Sequence, residues 1–156
     1  LLHIANHALA KSIGFLLSGR IRAAYGSAEI AAVGGLMRGM PRTGAAFLAA
    51  MLALVGLPPF GLFVSEVMIF AAGFAQGFPL VAGAGLFLLV IAFAGLLRGA
   101  HAILYGPSVR EPAVEAAGWR PALPMAAAFA LLLLTGLVWP PGLGTTLDRI
   151  VAIVVP

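Results

Sequence analysis

Between Glu66 and Arg98 the chain runs for 31 residues without a single charged side chain. A second uncharged run of 23 residues separates Arg42 from Glu66, and a third extends from Pro121 to Leu147. A helix needs about 20 apolar residues to cross the hydrocarbon core of a bilayer, so each run is long enough. Charged residues make up 9% of the chain and hydrophobic ones 62%, whereas a soluble domain carries roughly 25% charge. Runs of this length with so few charges mark a polytopic helical membrane protein. The expected fold class is an all-α integral membrane protein.

Breakers divide the runs into about four transmembrane spans. The first covers about residues 1–20, with room to run on toward Tyr25, and a loop with a short surface helix near Glu29 follows. The block from Thr43 to Gly77 is too long for one simple span, and "GLPPFG" from Gly56 to Gly61 interrupts it. Pro58 and Pro59 lack amide donors, and Pro59 pushes Pro58 out of helical geometry. The expectation is two half-helices, about 43–56 and 61–76, meeting inside the membrane. Pro79 opens a long helix to about Tyr105. A polar loop leads to a last span from Ala122 to Trp139, ended by Pro140 and Pro141. Residues 1–142 read as the transmembrane domain and 143–156 as a short interfacial segment, with Thr145 and Asp148 spaced as in a capping box. Because Leu1 begins inside a helical pattern and is not methionine, the chain reads as the C-terminal piece of a longer protein.

The arginines follow the loops. Arg20, Arg22, Arg38, Arg42, Arg110 and Arg120 lie in loops 20–42 and 106–121, against Arg149 alone on the opposite side. The positive-inside rule puts those loops in the cytoplasm and the C-terminus outside, with Trp119 and Trp139 as interface anchors. The net charge of +4 is explained by this bias, so no nucleic-acid partner is expected. There is no cysteine, which excludes a disulfide, a thiolate metal site and an iron–sulfur cluster.

Against this background a few polar residues stand out. His3, His7 and Lys11 recur at intervals of four and share a helical face with a drift of roughly 80°. A lysine at mid-membrane costs at least about 2.5–3.5 kcal/mol, tolerable where it meets a polar cavity or a partner. The three side chains suit a proton relay completed by waters; the plainer reading is a snorkelling lysine and histidines that bond between helices. A metal would find two ligands in His3 and His7, but Lys11 repels it and no third ligand is evident. Haem fails because its axial ligands approach from opposite ring faces. Glu66 lies seven residues after Pro59, beside backbone groups that the break frees at membrane depth. Intramembrane carboxylates and broken helices mark ion or proton paths; a static ion pair with Lys11, Arg98 or His101 is the structural alternative. Arg98 and His101 are possible accessories near the cytoplasmic end of their helix. Gly73-x-x-x-Gly77 and Gly95-x-x-x-Gly99 have the spacing of close helix packing.

"HIANHALAKSIGFLLSG" resembles the H-x-x-x-H-[AS]-x-x-K-x-x-x-F motif of the proton-conducting antiporter-like subunits. That family includes respiratory complex I, the multisubunit sodium/proton antiporters and the energy-converting hydrogenases. "LALVGLPPFGLFVSEVMIF" resembles its broken helix, with Glu66 at the ionisable position. The fragments "NHALAKS", "LPPFGLFVSE" and "AGLLRGAHAIL" look most like component F of hydrogenase-4, in formate-hydrogenlyase-type complexes. The resemblance implies proton translocation with His3, His7, Lys11 and Glu66 at relay positions, and no cofactor or catalytic centre in this chain. It implies partners as well: other membrane subunits, a peripheral Ni–Fe hydrogenase or similar redox module, the lipid bilayer, and protons. A bacterial inner membrane is the expected location. A further lysine and glutamate of the family lie on earlier helices, outside this chain. A complex I subunit, a sodium/proton antiporter subunit and a non-conducting membrane anchor are the alternatives.

Overall fold

Proline and glycine decide where the helices of this chain begin and end. The computed structural model describes residues 1–108, 122–138 and 145, and among them every regular element is helical. In chain order these are α1 (Leu2–Tyr25), a 3-10 turn (Ile30–Ala32), α2 (Leu36–Gly39), α3 (Pro41–Leu54), α4 (Gly61–Ala75), α5 (Pro79–Tyr105) and α6 (Ala122–Leu137). Pro41 and Pro79 occupy the first turns of α3 and α5, where a missing amide costs nothing because no carbonyl precedes it. At the other ends, Gly26, Gly56 and Gly77 take positive φ and turn the chain out of α1, α3 and α4.

The break between α3 and α4 spans 55–60: α4 starts at Gly61, as expected, and α3 ends at Leu54, two residues before the expected 56. Leu57 N–H bonds the Leu52 carbonyl at 3.1 Å and Gly56 N–H bonds Ala53 at 3.1 Å. Those two bonds with a left-handed Gly56 make a Schellman cap, so α3 is closed off before the prolines. The Pro58–Pro59 bond is cis. Near Glu29 the chain forms only the three-residue 3-10 turn, because Gly34, Gly35 and Gly39 interrupt any longer helix.

Length and apolarity together single out one helix among the described residues as long and apolar enough to cross a membrane, α5, with 27 residues and a mean hydropathy of 2.6 over an 18-residue stretch. At 1.5 Å per residue α5 is roughly 40 Å long, while the 14-, 15- and 16-residue helices α3, α4 and α6 reach only about 21–24 Å. Helix α1 is long enough, at 24 residues, but carries Lys11, Arg20 and Arg22. The helices nonetheless share one core. Ile13, Leu17, Leu36, Leu62, Leu104 and Leu132 are fully buried between them.

The glycine pairs behave differently from their spacing. Gly77 ends α4, with Phe78 N–H bonded to Gly73 O at 3.0 Å, and only Gly73 serves packing: a Cβ there would stand 3.1 Å from the Ala82 methyl of α5. Among the described residues Gly95 and Gly99 meet nothing within 4 Å. Trp119, Trp139, residues 109–121 of the second loop, and 143–156 apart from Thr145 lie outside the described residues.

Candidate polar junction at the helix break

A spacing of four overshoots the helical turn of 3.6 residues by about 40° each time. On α1 that drift has a visible consequence. The buried stripe runs through Asn6, Ala10, Ile13, Gly14, Leu17, Ile21 and Tyr25. His3 falls on its centre line and His7 toward its edge, both half-buried, and Lys11 lies past the edge, exposed. The two imidazoles stack with ring centroids 5.7 Å apart and planes 27° from parallel. The structure therefore brings His3 and His7 together and leaves Lys11 on the outer face of α1.

His3 also reaches across to the second half-helix. Its Nδ1 lies 3.1 Å from the Ser65 hydroxyl, and Ser65 Oγ donates to the Leu62 carbonyl at 2.9 Å. A hydroxyl has one proton. With that proton given to Leu62, Ser65 accepts, His3 Nδ1 carries the hydrogen, and Nε2 of the neutral ring is left as the acceptor. Glu66 is the next residue of α4. Its side chain leans toward the N-terminal end of the helix, as helical side chains do, and a Cβ added to Gly56 would fall on the Glu66 carboxylate. Gly56 is thus required twice, once for φ 66° and once for the room it leaves to Glu66. Among the described residues no ion pair joins Glu66 to Lys11, Arg98 or His101.

Arg98 and His101 belong to another part of the molecule. Gly73 faces Ala82, and Gly85 faces the Phe70 ring at 3.2 Å, so α5 runs antiparallel to α4. Arg98 comes 13 residues after Gly85, about 20 Å along the axis, well past the level of Glu66. Both side chains are exposed, and His101 sits 5.2 Å from the Tyr105 ring.

Three polar residues join the site without having stood out in the sequence: Asn6, Ser65 and Thr135. Asn6 is 1% exposed, and its Oδ1 accepts a hydrogen bond from Thr135 Oγ1 at 2.9 Å. Thr135 also lies 3.0 Å from Leu131 O and 3.2 Å from Leu132 O, so three acceptors share its one proton. Two glycines permit this approach of α6 to the break. A Cβ on Gly61 would strike Thr135 Oγ1 and lie 2.7 Å from Asn6 Nδ2, and one on Gly136 would strike the Pro59 carbonyl. A signal existed for Asn6, since it falls on the same wheel position as Ala10, Ile13 and Leu17. Thr135 is the lone hydroxyl in "LLLLTGL"; Ser65 had no signal beyond its place before Glu66.

Among the described residues no three His, Asp or Glu gather where a metal ion could be held. A cavity of about 380 Å³ lined by Ser18, Arg22, Glu29, Phe47 and Ile103 lies about three turns along α1 from His7, toward the arginine-rich end.

Residues 1–92, which contain the histidine stripe, the break and Glu66, match the family described as NADH:quinone oxidoreductase/Mrp antiporter, transmembrane. The chain belongs to this family. It is an antiporter-like membrane subunit, as the two motifs implied. It is 32% identical over 142 residues to a hydrogenase-4 component F homolog of Methylacidiphilum infernorum, covering 90% of this chain and 29% of that protein. Identity to an NADH-quinone oxidoreductase subunit of Mycobacterium tuberculosis is 30% over 106 residues, 68% of this chain and 19% of the relative. With a Na(+)/H(+) antiporter subunit of Bacillus subtilis it is 33% over 75 residues, 48% of this chain and 15% of the relative. The chain thus spans less than a third of the length of each.

Proposed function

We propose that this subunit translocates protons through a relay that includes His3, His7, Lys11 and Glu66, as part of a membrane-bound oxidoreductase complex of the energy-converting hydrogenase type. The observation that carries the relay is the contact between His3 and Ser65, which couples the stacked histidines of α1 to the residue beside Glu66, at a break where a glycine clears space for the carboxylate. A proton taken up at His3 Nε2 makes imidazolium; loss of the Nδ1 proton then restores a neutral ring. Glu66, as a carboxylate, can take that proton through water and release it. Lys11, on the outer face of α1, would exchange protons with groups supplied by neighbouring segments or subunits.

In this reading the chain crosses an inner membrane four times, through α1, the broken pair α3–α4, α5 and α6. Loops 20–42 and 106–121 would be cytoplasmic and the C-terminus outside. A peripheral Ni–Fe module would supply the redox energy. The hydrogenase-4 name of the relative covering 90% of this chain supports that partner. The names of the other relatives support complex I or a sodium/proton antiporter equally well.

Two measurements on the protein in its membrane complex test the proposal. Glu66→Gln should abolish coupled proton movement in membrane vesicles while leaving assembly intact; normal pumping would refute the relay. Nickel and iron without flavin in the gently purified complex would identify a hydrogenase. Iron with flavin and no nickel would point to complex I, and none of the three, to an antiporter.

A further inference from the structure

Asn6 is the buried polar group that the relay does not yet use. Its oxygen accepts from Thr135, and its amide nitrogen, Nδ2, lies on the other branch of the side chain. That nitrogen is buried with no hydrogen-bond partner among the described residues. It lies beside Gly61, the first residue of α4, whose amide belongs to the helix-start groups that have no carbonyl within the helix to bond. Among the described residues no side chain caps that helix start, and Gly61 and Leu62 are themselves buried. The Asn6 amide nitrogen and the first amide of α4 are both N–H donors, at the positive end of a helix dipole. They require an acceptor.

We propose that the break holds an ordered water, bound through its oxygen by Asn6 Nδ2 and the first amide of α4, and that this water is a station of the proton path between the histidine pair and Glu66. A buried water normally has two to four polar partners, and the Pro59 carbonyl, brought against Gly136 at the same junction, offers a third. The chemistry sets its direction. With its lone pairs held by donors, the water has both hydrogens to give. One can go to the Pro59 carbonyl and the other toward the carboxylate that lies over Gly56. Asn6 would then be a positioning residue, acting through the water it holds. The inference rests on the relay reading given above.

The test uses the intact complex. A high-resolution map should contain a water within about 3 Å of Asn6 Nδ2; a side chain or an anion filling that place would overturn the proposal. In vesicles, Asn6→Leu, which fills the volume without a donor, should cut proton uptake to less than about a tenth. Asn6→Ser, which makes room for solvent, should run several times faster than Asn6→Leu. Equal loss in both, matched by Thr135→Val, would mean that Asn6 is only a clamp between helices, and wild-type uptake in Asn6→Leu would exclude the water. Dependence of the wild-type rate on chloride, tested against gluconate, would mean that an anion occupies the site. Glu66→Gln run in parallel separates the two ideas: if it pumps normally the relay fails, and if it is blocked while Asn6→Leu pumps, only the water fails.

Discussion

Helices α1 and α5 are nearly the same length, 24 and 27 residues, yet they are built for opposite surroundings. Helix α1 carries a polar group at every turn of its first half and buries one full stripe against α3, α4 and α6. Helix α5 has no charged residue before Arg98 and leaves Leu80, Val81, Phe87 and Leu88 exposed by 88%, 71%, 67% and 62%. It touches the bundle mainly near its ends, at Ala82 and at Ala100 and Leu104. In lipid such a helix gains nothing by burying its leucines, because the acyl chains are equally apolar. A helix with histidine and asparagine does gain, since each polar group must find a partner. Polarity therefore pulls α1 into the core and leaves most of α5 outside it.

The comparison breaks most readily at the carboxylate. Glu66→Gln should abolish proton uptake in vesicles, whereas Arg98→Gln on α5 should leave most of it. A complete loss in both would show that α5 belongs to the relay. Next in size is the glycine contrast. Gly56→Ala forces a side chain into left-handed geometry, which costs roughly 1–2 kcal/mol, and sets its methyl against Glu66. Gly136→Ala collides with the Pro59 carbonyl. Both should lower the midpoint of detergent unfolding and reduce transport. Gly95→Ala meets open space and should be neutral or gain up to about 1 kcal/mol from helix propensity. Core deletion sharpens the same point: Leu17→Ala, at a fully buried site, should cost about 2–5 kcal/mol, and Leu88→Ala less than about 0.5 kcal/mol. The smallest contrast is between the histidines. His101→Phe should shift the unfolding midpoint little, while His3→Phe, which removes the bond to Ser65, should cost about 1 kcal/mol and take a proton station out of the relay.

Local chemistry was legible in the sequence. Prolines lack donors and glycines accept positive φ, so the starts of α3 and α5 and the break before Glu66 could be read to within a residue or two. The pattern also singled out His3, His7, Lys11 and Glu66, because ionisable groups are conspicuous among apolar ones. What it could not show was which of them meet. The i, i+4 spacing put three groups on one stripe, and the drift of the helix separated Lys11 from the buried face that holds His3. The GxxxG spacing promised packing that Gly95 and Gly99 do not provide, since spacing is local and a packing partner is not.

The sequence by itself determined that this is a helical membrane chain, where its helices start and stop, and which side chains are chemically unusual in lipid. Those properties depend on each residue and its near neighbours. Only the tertiary structure decided that His3 bonds Ser65 across 62 residues and Thr135 bonds Asn6 across 129, and that Gly61 and Gly136 give way so that α6 can reach the break. Hydrogen bonds at 3 Å require positions that helix packing alone supplies, and no periodicity within one helix contains that information.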